Sequence, residues 1–318
     1  MTLTRNPPRA AAPDRRRRGV RPASRSRSRA LPYVLLLPAA LGILGTLVYP
    51  VFQLVALSFQ RENLADLIRR TTTWVGLDNY TRTLTDPQFW TVLPRTIAFA
   101  LTCAGLTLLI GTLCALLLRA ASPWARLALS SGLVVAWATP VFIGAVIWRW
   151  LFDSEFGVVN HLLTVTGLCE CRGHGWFLTG GQATFVLVVI IVWGAVPFVA
   201  LSVYGGLLTV PPELHEAARV DGAGATRIFF SITFPLLRPV YTILLVLSLI
   251  WDMKVFPQIW FTTKGGPYES TVMLGVYIYN KGINASQFGA ASSIAVLMTL
   301  LLVGLSWLYV RALRQEAS

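Results

Sequence analysis

Charge is what this 318-residue sequence has least of. Asp, Glu, Lys and Arg make up 13% of it, against roughly 25% in soluble domains, which excludes an ordinary water-soluble globule. Cysteines number only four. Cys103 and Cys114 fall inside an apolar run, while Cys169 and Cys171 form a C-x-C in a loop. Two thiols that close are too few for a zinc site, and no disulfide framework follows from them; they read as incidental small residues. The three histidines, His161, His174 and His215, are scattered, so the convergent acid–base groups that a membrane enzyme needs are missing. No G-x-x-x-x-G-K-[ST] phosphate loop is present, which excludes ATP binding of that kind. An internal repeat, which would favour a stand-alone ion-coupled carrier or channel, is not evident. Neither catalytic residues nor metal ligands are expected.

What the chain has is apolar length. Hydrophobic residues are 55% of the total and mean hydropathy is +0.62. Six runs are long enough to span about 30 Å of hydrocarbon: Leu31–Phe59, Thr96–Leu118, Leu127–Leu151, Thr184–Leu208, Leu236–Trp260 and Phe288–Val310. The fold class expected is therefore all-α, a polytopic membrane bundle of six helices, with one compact domain over residues 31–318. The first run is too long for a cleaved signal peptide, whose apolar core spans about 7–15 residues, and reads as a retained anchor. Pro38, Pro50, Pro140 and Pro197 lie inside runs, where membrane helices tolerate proline if neighbours satisfy the freed backbone groups.

The net charge of +13 invites a nucleic-acid reading, but its location argues otherwise. "RNPPRAAAPDRRRRGVRPASRSRSRA" concentrates arginine within residues 1–30, a stretch without apolar periodicity that is expected to be a disordered basic tail. A basic flank before the first span fits the positive-inside rule and attracts anionic lipid. About 17 Lys and Arg fall on the side shared by the tail, the Arg119–Arg126 turn, the Glu216 loop and the C-terminus, against about 10 in the longer opposite loops. Both termini and the Glu216 loop are therefore expected in the cytoplasm, on one side of a multi-pass membrane protein.

The loop at about 210–235 is polar and built like a helix. In "TVPPELHEAARVDGAG" the prolines stand at a helix start, Glu213 and Glu216 suit the N-terminal dipole, and Gly222 is placed to end the helix. A second short helix is expected over Thr226–Thr233, with Pro235 before the fifth span, giving a helix–turn–helix flat on the inner surface. Such a helix either rests on lipid or docks on a protein. Its small residues and balanced charges favour the protein.

The segment resembles the EAA signature of permease subunits of bacterial ABC importers: E-A-A, three residues, G, nine residues, I-x-L-P. Here Glu216, Ala217 and Ala218 are followed by Gly222 and by Ile232-Thr233-Phe234-Pro235, with Phe234 where Leu is usual. "WVGLDNY", "FGVVNHLL", "VDGAG", "FPLLRP", "KGGP" and "FGAAS" stand in the order seen in the sugar-permease branch of that family, the maltose- and glycerol-phosphate-type subunits. The resemblance implies a type I ABC importer permease whose loop is a coupling helix seated in a cleft of a cytoplasmic ATPase, with Glu216, Ala217, Ala218, Arg219, Asp221 and Gly222 in the contact. It also implies two ATPase subunits that bind ATP and magnesium, a second homologous permease forming a heterodimer, and an extracytoplasmic solute-binding protein. No cofactor is expected on this chain.

A substrate path is expected on the fourth and fifth spans. Ser248, Trp251, Asp252 and Val255 follow i, i+3, i+4, i+7 spacing and share one helical face. "WGAVPF" supplies Trp193, Gly194 and Phe198. Intramembrane carboxylates are usually functional, and a carboxylate beside indoles suits a sugar. Similar positions line the sugar path in maltose-type permeases. The competing reading has the aromatics packing between helices and Asp252 in interfacial water. A phosphate-bearing substrate would want more cations than Lys254, so a neutral di- or oligosaccharide is preferred over glycerol phosphate or another polar solute.

Overall fold

The computed structural model describes residues 31–316; the basic tail expected to be disordered lies outside the described residues. The chain forms two compact units, one up to Pro50 and one from Val51 onward. The first contains α1 (Leu31–Ile43), which runs through a π turn (Leu44–Val48) into α2 (Tyr49–Ser58). Pro38 sits inside α1.

The second unit continues with a two-stranded antiparallel ribbon, β1 (Gln60–Arg61) and β2 (Thr73–Trp74), enclosing α3 (Leu64–Arg69). Then come α4 (Asp78–Thr85), α5 (Pro87–Ala120), α6 (Pro123–Ala138), α7 (Val141–Leu151), α8 (Val158–Val165) and α9 (Gly180–Leu207). The loop helix is α10 (Pro212–Val220). Next, α11 (Ala225–Ile228) passes through a π turn (Phe229–Thr233) into α12 (Phe234–Met253). Finally α13 (Pro257–Thr262) and α14 (Leu274–Tyr279) precede α15 (Phe288–Glu316). Among the described residues, five helices are long and apolar enough to cross a membrane, or six if the bent pair α6–α7 counts as one span.

The helices meet through small residues, as expected where lipid offers no competing hydrophobic drive. Ala100, Cys103, Ala104, Thr107, Gly111, Ala115 and Leu118 make a buried stripe along α5. At Gly111 any side chain would collide with the Val199 side chain and crowd the backbone nitrogen of Ala200, so α5 and α9 approach closely there. Phe89, Val92 and Phe99 of α5 join Leu187 of α9 and residues of α12 to α15 in the largest core cluster.

Three expectations are corrected. The third span is bent by 103° between α6 and α7. Pro140 has no N–H to donate and disfavours helical backbone at the residue before it; Thr139 is accordingly extended. The fifth span ends at Met253 rather than Trp260, because Pro257 opens a separate helix. The segment Thr226–Thr233 is not a separate helix: α11, the π turn and α12 form one span over Ala225–Met253. The π turn shifts the hydrogen-bond register just before Pro235, and the helix runs on through the proline without a stop.

Quoted motifs fasten the ends of the spans. Asn79 of "WVGLDNY" is buried and donates to the Ser58 and Gln60 carbonyls at 2.9 and 2.8 Å. Asn160 of "FGVVNHLL" donates to the carbonyls of Ser154 and His174, and accepts from Trp176 Nε1 at 2.7 Å. The helix in this motif, α8, begins only at Val158, because Asp153 first folds the chain into a turn by accepting from the Glu155 and Phe156 N–H groups. Cys169 and Cys171, read as incidental, are joined in a disulfide: one intervening residue is enough to bring the two thiols together.

Candidate functional site

At one end of the bundle α10 lies between α9 and α11. Pro211 caps its start and Pro212 occupies the first turn, where N–H groups are spare. Its end is a Schellman turn. Asp221 closes the helix, Gly222 takes φ +78°, the Gly222 N–H donates to the Arg219 carbonyl at 3.0 Å and the Ala223 N–H to the Ala218 carbonyl at 2.9 Å. These two bonds satisfy carbonyls that the helix terminus would otherwise leave open.

Two faces result. Glu213, Glu216, Ala217, Arg219 and Val220 are exposed, as are Asp221 and Gly222 in the turn. None of Glu213, Glu216, Arg219 and Asp221 makes an ion pair among the described residues. Ala218 differs from the other signature residues: it is buried, on the inward face beside buried His215. An exposed, unpaired row of charges of both signs beside exposed Leu214 and Val220, the latter 88% exposed, is a surface suited to a protein partner and lacks the Lys/Arg-rich face of a lipid anchor.

Deeper in the bundle, a cavity of about 380 Å³ opens between the bent third span, α9 and the end of α12. Of the residues expected there, Trp193, Gly194, Trp251, Asp252 and Val255 line it. Phe198 does not reach the wall but packs on Trp251, with ring centroids 5.3 Å apart, and stacks against Trp137 at 6.3 Å. Ser248 is buried one turn below Asp252 and does not line the cavity. Val255 is not on the helical face with the others, since the helix has already ended; it reaches the wall from the chain that follows. The competing reading of Asp252 as a water-exposed interfacial group is not met: the residue is 5% exposed, and its Oδ2 has no hydrogen-bond partner.

The sequence did not point to the third wall. Trp137 and Thr139, at the break before Pro140, face the cavity with Gly144 and Ala145 of α7. The available signal was the Thr-Pro pair inside an apolar run, which marks a break but not its direction. Gly144 lets the Trp193 ring approach, since any side chain there would crowd it. Trp193 also meets Trp148 edge-on at 5.7 Å. The site thus combines indole faces, a buried carboxylate with an open acceptor, and Lys254 at the rim. Among the described residues no cluster of His, Cys, Asp or Glu could hold a metal.

Comparison with known proteins agrees with this architecture. The diacetylchitobiose uptake system permease protein DasB of Streptomyces coelicolor is 43% identical over 94% of this chain and 92% of its own length. The trehalose/maltose transport system permease protein MalF of Thermococcus litoralis is 31% identical over 88% of this chain and 92% of its own. A crystal structure of a bacterial ABC transporter that imports the acidic polysaccharide alginate shares the fold, with a TM-score of 0.74 at 23% identity, covering 91% of this chain and 96% of that one. Residues 107–315 match the family described as binding-protein-dependent transport system inner membrane component. The chain belongs to that family, as a multi-pass permease component of an ABC importer.

Proposed function

We propose that this chain is one of two homologous but different permease subunits of an ATP-driven importer, and that its cargo is a neutral di- or oligosaccharide. It sits in the bacterial cytoplasmic membrane with both termini in the cytoplasm. Two separate ATPase subunits bind ATP and magnesium, and an extracytoplasmic binding protein delivers the sugar. The observation that carries the substrate reading is the cavity lined by Trp193, Trp251 and Asp252. Its volume falls in the range of small-molecule pockets, roughly 300–1,000 Å³. A carboxylate only accepts hydrogen bonds, which suits vicinal hydroxyls, and indole faces cover the C–H face of a sugar ring. The names of the two sugar-transporting relatives support the same class.

One observation favours a second reading. Lys254 lines the cavity and could meet a phosphate, as in a glycerol-phosphate importer. Asp252 on the same wall offsets that charge, so a neutral solute fits better. The exposed face of α10 is the proposed coupling surface, with Glu216 and Arg219 meeting charges on the ATPase and Gly222 setting the turn. Closure of the ATPase pair would move α10, and the spans attached to it would reopen the cavity to the other side.

The test is uptake in cells carrying or lacking the chain, with labelled diacetylchitobiose, maltose and glycerol phosphate compared. Uptake of one of the disaccharides should depend on the chain, and Asp252→Ala should lower it about tenfold, the loss of a charge-assisted hydrogen bond, while the complex stays assembled. Dependence of glycerol-phosphate uptake alone would replace the sugar by the second reading. Full disaccharide uptake by the Asp252→Ala variant would remove Asp252 from the path.

A further inference from the structure

The inward face of α10 carries a group that the coupling surface does not use. His215 is 8% exposed and its Nε2 sits where three elements meet. Thr233 Oγ1, in the π turn of the fifth span, is 3.1 Å away. A guanidinium nitrogen of Arg119, at the last turn of α5, is 3.5 Å away. Arginine can only donate, so in the contact with Arg119 Nε2 is the acceptor; this role is assigned from the hydrogen-bond network. Nδ1 is buried and has no partner among the described groups.

We infer that His215 is the positioning residue through which movement of α10 reaches the second and fifth spans. The inference rests on the reading of α10 as the coupling helix and adds how that helix is attached. Three observations support it. Ala218, the other buried residue of α10, carries no polar group, so His215 is the side chain that ties the helix by hydrogen bonds to α5 and to the π turn. The attachment point on the fifth span is a π turn, a local departure from α-geometry often found at functional positions. That span leads without interruption to Asp252 at the cavity. A displacement of α10 therefore reaches the cavity along one continuous helix, with α5 held to the same nitrogen.

The experiment uses the complete transporter purified with its partners and rebuilt in lipid vesicles. It counts labelled diacetylchitobiose or maltose, whichever wild-type vesicles accumulate, per ATP hydrolysed. His215→Ala should lower that ratio about five- to tenfold, the size of a typical coupling term, while the ATPase still co-purifies. His215→Gln should restore it, because its amide reaches the position of Nε2; His215→Asn should not, because its amide reaches only the position of Nδ1. A merely structural role would instead lower complex yield and both rates together, and Gln and Asn would not differ. If His215→Ala does not assemble, Thr233→Val removes the same bond and should lower the ratio in the same direction. Glu216→Lys is the control for the underlying reading. An unchanged ratio at His215→Ala, with Glu216→Lys uncoupled, overturns the inference and leaves α10 as the coupling helix. An unchanged ratio in both overturns the coupling reading itself.

Discussion

Gly222 shows how much a single residue can specify. It adopts φ +78°, a region that costs other residues about 1–2 kcal/mol, and the two bonds that close α10 depend on it. Gly222→Ala meets no steric obstacle from neighbours, so its effect is purely conformational. The variant should insert normally, yet lose most of its uptake because the charged turn no longer holds its shape. Normal uptake would mean the turn geometry is dispensable. This residue was readable in the sequence because helix, stop and spacing are all local. Asp252 was readable as an ionisable residue in a span, while its burial was left open against a place in interfacial water. The contacts of His215 were not readable: its partners Arg119 and Thr233 lie 96 and 18 residues away, and no pattern along the chain brings them together.

Among elements, the most informative junction is at the end of the bundle opposite α10, where α5 begins. Asp86 caps α5 by accepting from the Gln88 N–H at 2.9 Å. It also accepts from the Tyr277 hydroxyl of α14 at 2.7 Å and from Lys281 Nζ at 3.1 Å. Burial by itself would raise the Asp86 carboxyl; the Tyr277, Gln88 and Lys281 contacts outweigh it and hold the group below its ordinary value of 3.8. A depressed folded value gives stability that is complete above the unfolded value and is lost as pH falls through the folded one. The attachment of α14 to α5 should therefore loosen only below about pH 4. Thermal unfolding in detergent should show a steeper acid loss for the wild type than for Asp86→Asn; identical acid profiles would contradict this. Element existence was largely legible, since apolar length alone locates the spans. Element ends were less so. Pro140 and Pro257 acted as breaks where the hydropathy pattern ran on, and the π turn before Pro235 merged two expected helices into one. Proline signals a boundary from the sequence, but whether the helix kinks, stops or absorbs it depends on the neighbours that satisfy the freed groups.

At the scale of the whole molecule, the permease identity was legible because the EAA spacing and six further motifs occur in order, and the family match covers residues 107–315. The shape of the cavity was not legible. Its walls come from α6, α7, α9 and α12, and the 103° bend that presents Trp137 and Thr139 is a tertiary outcome. The molecule also exposes much apolar surface outside the cavity, including Phe142, Val146 and Trp150 of α7, as a multi-pass membrane chain should. The proposed function makes this chain one of two unlike permeases around a pair of ATPases gripping α10. The measurement that tests it most directly is gentle detergent extraction of the tagged chain from its native membrane, with identification of whatever co-purifies in fixed proportion, for the wild type and for Glu216→Lys. An ATPase and a second six-span protein should accompany the wild type. Glu216→Lys should retain the same second permease, with ATP hydrolysis no longer coupled to uptake. Recovery of the chain alone, or as a homodimer without an ATPase, would contradict it.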